Sequence, residues 1–199
     1  ARRQQARQAL GLGDEPLIVS CWGSLGAREM NKKIAQFMRC ECEDGTPFHH
    51  IHATGSFGWR WMPDYVKEQG VDLAAHPALD MREYIYDMPQ VLAAADLIIC
   101  RAGAATIAEV CASGTPCIMV PSPNVTGNHQ EKNARVLEDA GAAAVVREAD
   151  CDGRSLYETA KAILSDPERT GGMRTAARGM AVVDAAERIY QTAIELARG

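Results

Sequence analysis

No apolar run in this 199-residue chain approaches the roughly 20 residues that a membrane-spanning helix requires. An excess of positive charge is also missing. The formal net charge is −5, which argues against the broad nucleic-acid binding that clustered Lys and Arg support. The seven cysteines are an odd number and include no pair at zinc spacing, since Cys40 and Cys42 form only a C-x-C. Cys21, Cys100 and Cys117 fall inside apolar runs, so reduced, mostly buried thiols in a cytoplasmic protein are expected. The polar start at Ala1 carries neither a secretory signal nor an initiator Met, and is expected to be a cut inside a longer protein. There is no internal repeat, low-complexity tract or domain linker. With 47% hydrophobic and 24% charged residues, the composition is that of an ordinary soluble globular domain with room for a sizeable core.

What is present is an alternation of strand and helix patterns. Arg2 to Leu10 suits a helix and is stopped by Gly11 and Gly13. The apolar run Leu17 to Cys21 meets Gly23-Ser24-Leu25-Gly26, after which Met30, Ile34, Phe37 and Met38 recur on one helical face. His49 to Ala53 is a second strand, a short strand is expected near Val71, and Met88 to Ala95 suits a helix. Leu97 to Cys100 has the continuous apolar character of a buried parallel strand. A helix from Ala105 to Ala112 and a strand from Cys117 to Val120 follow. Beyond the Pro121–Asn128 loop come a helix from His129 to Ala140, a strand from Ala143 to Val146, and helical stretches over Ser155–Leu164 and Thr175–Ala197. Asp152 to Arg154 reads as a turn. The pattern predicts a Rossmann-like open, mostly parallel α/β sheet flanked by helices, with residues 1–199 as a single domain.

Ligands of such sheets bind at the carboxyl ends of the strands, beside the point where strand order reverses. Four loops there carry informative residues. Gly23, Ser24 and Gly26 let backbone approach a diphosphate at the start of a helix, although the same glycines would serve a ligand-free turn. Arg101 to Glu109 again joins a strand to a helix. Ala104, Ala105 and Thr106 offer N–H groups to a phosphate, and Glu109 offers two oxygens to a ribose, while a Glu early in a helix is also favoured by the dipole alone. Gln130 and Asn133 share a helical face and suit sugar hydroxyls, with Asn128 as a candidate N-cap; a capped surface helix would look the same. The fourth loop, Tyr84 to Met88, has backbone near Ile85 that could meet a base edge. His50 and His52 face one way but lack a third metal ligand, which favours a structural role. The aromatic stretch from Phe57 to Met62 is expected to pack on the domain itself.

Taken together and in this order, the four segments resemble the MurG family, the N-acetylglucosaminyltransferases of peptidoglycan synthesis within glycosyltransferase family 28. The family's loop Gly-Gly-Ser-x-Gly-Ala-x-x-x-Asn is matched from Trp22 to Asn31 with one change. Arg-Ser/Ala-Gly-Ala-x-Thr-x-x-Glu is matched from Arg101 to Glu109. Gly-x-Pro-x-x-x-x-Pro and Asn-His-Gln-x-x-Asn-Ala are matched from Gly114 to Pro121 and from Asn128 to Ala134. The resemblance implies the C-terminal half of a GT-B fold that binds UDP-N-acetylglucosamine. It puts Ser24 and its loop near the diphosphate, Ile85 at the uracil, Ala104 to Thr106 at the phosphates, Glu109 on the ribose and Gln130 on the sugar, with Met88 also in the donor site.

The resemblance also implies transfer, with inversion, to lipid I, and no metal or other cofactor. Catalytic and acceptor-binding residues, and most membrane contact, are then expected in an N-terminal domain this chain lacks. The whole protein would sit peripherally at the cytoplasmic face of the cell membrane, and the isolated chain would bind donor weakly and transfer nothing. Trp22, where the family loop has its first glycine, either narrows the approach to the phosphate or packs outward. A glycolipid synthase or a two-subunit N-acetylglucosaminyltransferase shares a similar donor half. A 2-epimerase would need cleft carboxylates not found here, and a flavodoxin-like regulator an acidic cluster where Cys21-Trp22-Gly23 stands.

Overall fold

The computed structural model describes residues 2–198. Its first helix, α1 (Arg2–Ala9), leads to β1 (Leu17–Cys21), α2 (Arg28–Glu43), β2 (His49–Ala53), α3 (Met62–Glu68) and β3 (Leu79–Arg82). The chain continues through α4 (Met88–Ala94), β4 (Leu97–Cys100), α5 (Ala104–Ser113), β5 (Cys117–Met119), α6 (His129–Asp139) and β6 (Ala143–Val145). Three helices finish it: α7 (Gly153–Leu164), α8 (Pro167–Gly179) and α9 (Ala185–Arg198). The strands form one parallel sheet in the order β3-β2-β1-β4-β5-β6. Order reverses between β1 and β4, so a crevice opens beyond their carboxyl ends.

Central strands of a parallel sheet are covered on both faces and so are mostly apolar. Leu17 and Val19 of β1 point to one side, where α4 supplies Val91 and Leu92, α5 Val110, and α6 Leu137. Ile18 points to the other, against Phe37 and Met38 of α2 and Leu156 and Ile163 of α7. That second face also buries a polar chain. Ser20 Oγ lies 2.8 Å from His50 Nε2 and 2.7 Å from His52 Nδ1, and His50 Nδ1 lies 2.8 Å from Glu41 Oε2. All four residues are wholly buried. Burial, with His50 alongside, holds the His52 imidazole well below its ordinary pKa and therefore neutral. The expected structural role of these histidines holds, although His52 Nε2 and Glu41 Oε1 have no partner.

At the amino end of the sheet, Asp96 is gripped by Arg3 at 2.5 Å, Arg7 at 3.2 Å and Arg174 at 3.3 Å, and accepts the Leu17 N–H at 3.0 Å. This cluster pins α1 and α8 to the start of β1 and β4.

Four expectations need correction. The strand foreseen near Val71 lies instead at Leu79–Arg82; Val71 is a buried loop residue beneath the sheet. The stretch Thr175–Ala197 is not one helix, because α8 ends at Gly179 and α9 begins at Ala185. Asp152 to Arg154 is not a free turn: Asp152 is the N-cap of α7, in a reciprocal box with Ser155. The aromatic stretch packs on the domain only in part. Met62 is buried and Trp61 stacks edge-on with Tyr65 at 5.6 Å, whereas Phe57 is 60% and Trp59 41% exposed.

Candidate functional site

Four connections meet at the crevice, and two of them, β1–α2 and β4–α5, begin helices with open ends. In the β1–α2 loop both Gly23 and Gly26 have φ of +80°, a region that other residues enter only with strain. A side chain at Gly26 would also collide with the Thr54 carbonyl. Asn31, fully buried, donates to that carbonyl at 2.8 Å, so the loop is locked against the end of β2. The helix that follows has Ala27 at its N-cap with no side-chain bond. In the β4–α5 connection Gly103 occupies the N-cap and likewise contributes no side chain. The first N–H groups of α5, at Ala104, Ala105 and Thr106, are therefore open, and they carry the positive end of the helix dipole. Two uncapped helix starts beside one crevice offer the kind of donor groups that an anion can use.

A cavity of about 330 Å³ lies between these loops. Gly23, Ser24, Ile85, Met88, Thr106, Glu109 and Gln130 line it, so residues from all four sequence segments converge. Its floor is apolar, from Leu92, Ile98 and Val110. Glu109, on the second turn of α5, is exposed at the rim. Burial and the Glu109 charge push the Cys21 thiol up to about 12, so this cavity-wall sulfur stays protonated and is no nucleophile. Gln130 Oε1 accepts the Ser122 N–H at 2.9 Å, which leaves the amide –NH2 as the group available to a ligand.

The remaining predicted residues stand beside the cavity rather than in its lining. Gly26 faces Thr54, while Ala104 and Ala105 are exposed at the helix start. Asn133 donates to the Ala102 carbonyl at 3.3 Å, tying α6 to the β4–α5 loop. Asn128 does not cap α6 with its side chain: its backbone is left-handed, φ 52°, and its amide donates to Glu131 at 2.7 Å. Trp22 does not pack outward. It is 5% exposed and joins the core while also lining the cavity. Cys21 and Ala53 were missed as lining residues, although each stands at the carboxyl end of a strand, which was the available signal.

A larger hollow, about 840 Å³, runs between α1, α4, α5 and α8 and shares Met88, Leu92 and Glu109 with the first. It touches neither the β1–α2 loop nor the start of α5, so it lacks the anion-binding groups. Among the described residues no group of three or more His, Cys, Asp or Glu is arranged to hold a metal ion, and no helix is long and apolar enough to cross a membrane.

The strand order, with a crevice at the β1–β4 switch point flanked by two open helix N-termini, defines a Rossmann-like domain of the type that GT-B glycosyltransferases are built from. The chain belongs to the glycosyltransferase family 28 C-terminal domain family, whose model matches residues 17–189. It is 38% identical over 191 residues to the UDP-N-acetylglucosamine–N-acetylmuramyl-(pentapeptide) pyrophosphoryl-undecaprenol N-acetylglucosamine transferase of Caldanaerobacter subterraneus, covering 96% of this chain and 51% of that protein. The enzyme of the same name from Acetivibrio thermocellus is 38% identical over 190 residues, 95% of this chain and 50% of the relative. The crystal structure of Acinetobacter baumannii MurG superposes with a TM-score of 0.75 at 27% identity, over 96% of this chain and 52% of that one. The chain thus spans about half the length of the curated relatives it matches.

Proposed function

We propose that this domain binds UDP-N-acetylglucosamine and is the donor half of an inverting transferase. In the whole protein the sugar goes to lipid I, the undecaprenyl-pyrophosphoryl muramyl peptide of peptidoglycan synthesis. The observation that carries this reading is the convergence of Ser24, Ile85, Thr106, Glu109 and Gln130 on one cavity, beside two uncapped helix starts. In this reading the uracil lies against buried Ile85 and partly buried Met88, and the Glu109 carboxylate accepts hydrogen bonds from the ribose hydroxyls. The diphosphate sits on the N–H groups of Ala104, Ala105 and Thr106 and on the Gly23–Gly26 loop, and the Gln130 amide meets the sugar.

As the anomeric bond breaks, negative charge grows on the leaving UDP. The α5 dipole and its oriented N–H groups are already in place for that charge, which is electrostatic stabilisation without reorganisation. The reading assigns no resident cofactor to this domain. The base that activates the acceptor hydroxyl, the acceptor contacts and the peripheral attachment to the cytoplasmic membrane face belong to the rest of the protein.

Calorimetric titration with UDP-N-acetylglucosamine, UDP-N-acetylgalactosamine, UDP-glucose and UDP tests the reading, on this chain and on the whole protein. The expected result is preference for the N-acetylglucosamine donor, with Glu109→Ala weakening binding by about tenfold or more, as loss of a charge-assisted hydrogen bond does. Equal affinity of the wild type and Glu109→Ala would remove the ribose assignment. Absence of binding by the whole protein would remove the donor reading.

A further inference from the structure

We infer that Trp22 and Arg101 form a clasp across the crevice that fixes the diphosphate end of the cavity, and that both are positioning residues for the donor. The inference rests on the donor reading above. Trp22 directly follows β1 and Arg101 directly follows β4, and the last residues of those strands, Cys21 and Cys100, are register partners. The Arg101 guanidinium carbon lies 5.6 Å from the centroid of the Trp22 ring, within range of a cation–π contact. Both residues line the cavity.

The guanidinium reaches further. Its Nη1 donates to the carbonyls of Val120 at 3.0 Å and Pro121 at 3.2 Å, and its Nη2 pairs with Glu148 Oε2 at 2.6 Å. One largely buried side chain therefore gathers the segments that leave β1, β4, β5 and β6. Three of the four ligand-facing segments start next to this point. Gly23 follows Trp22, Gly103 lies two residues beyond Arg101, and Ser122, which holds Gln130, follows Pro121.

The choice of tryptophan supports the clasp over simple filling. Its indole Nε1 is buried without a partner, a cost that Leu or Phe would avoid. What the ring offers in return is a broad π face for the guanidinium. Arg101 is covered by that ring and neutralised by Glu148, so it shapes the site instead of serving as a free phosphate ligand.

The test uses the whole protein with Trp22→Leu, Trp22→Phe and Arg101→Lys, reading UDP affinity by calorimetry and the donor KM and kcat by transfer assay. Leu fills the space without the π face, Phe keeps a face, and Lys keeps the charge without the planar fork. Trp22→Leu and Arg101→Lys should each weaken UDP binding about three- to tenfold and raise the donor KM to match, with kcat within about twofold. Trp22→Phe should bind as the wild type does. Wild-type affinity in Trp22→Leu, or equal weakening in Leu and Phe, would overturn the clasp. Should Trp22→Leu fail to fold, unchanged UDP affinity in Arg101→Lys would overturn it equally. A wild-type protein that binds no UDP fails the donor reading itself, whereas binding that all three variants leave intact fails only the clasp.

Discussion

At the amino end of the sheet, Asp96 is enclosed by the guanidiniums of Arg3, Arg7 and Arg174 and by the Leu17 N–H. At the carboxyl end, α2 and α5 begin with Ala27 and Gly103 and no side-chain cap. The first end uses its charges on itself and so holds helices to strands. The second leaves oriented N–H groups and a glycine-lined hollow unspent, and those are the groups an anionic ligand needs. The contrast recurs among the helix starts themselves, since α7 begins with Asp152 accepting the Ser155 N–H at 2.8 Å. A capped helix start is structural; an uncapped one beside a cavity is available for binding.

Substitutions separate the two kinds of end. Asp96→Ala removes the one carboxylate that three guanidiniums and a backbone N–H share, and should cost about 3 kcal/mol in denaturant unfolding. UDP affinity of the folded protein should stay unchanged, because the site lies at the opposite end. Gly26→Ala forces a side chain into a +80° backbone position against Thr54. It should cost about 2 kcal/mol and also weaken UDP binding, so that stability and affinity fall together.

A pH dependence comes from the middle of the sheet. The folded pKa of His52 lies well below the ordinary 6.5, and half-buried His49 is shifted the same way, chiefly by burial. The unfolded chain therefore takes up protons that the folded one refuses. The stability these groups hold is complete above about pH 6.5 and is lost below it, at up to about 1.4 kcal/mol per pH unit for one histidine. His52→Leu should flatten that fall to what His49 contributes, as read from urea midpoints between pH 7 and about pH 5. The smallest effect is expected from Asp152→Ala. Loss of the α7 cap should cost about 1 kcal/mol, with UDP affinity unchanged.

Much of this arrangement was legible in the sequence. β4 announces itself as a short, wholly apolar run and β1 as one interrupted only by Ser20, because both their faces are covered. The four ligand-facing segments are readable because each sits where a strand pattern gives way to a helix. β3 was misplaced because only Leu79 in it is buried, and Asp80 and Arg82, which pair with each other at 2.6 Å, hide the strand pattern. Val71 attracted the expectation because it is apolar, yet it serves the core from a loop. The break between α8 and α9 was signalled by Gly179 and the β-branched pair Val182-Val183, which helical periodicity alone does not register. The start of α8 was also written in Asp166 and Pro167, a cap followed by a first-turn proline. Packing of Trp22 under Arg101 could not be read, since it depends on two residues 79 positions apart that only the strand register brings together.

The most direct test of the central claim is a crystal structure of this chain soaked with UDP. The account predicts the diphosphate at the start of α5, its oxygens facing the N–H groups of Ala104 to Thr106, with the uracil against Ile85 and the ribose on Glu109. UDP found in the larger hollow between α1 and α8, or bound with its phosphates away from α5, would contradict it.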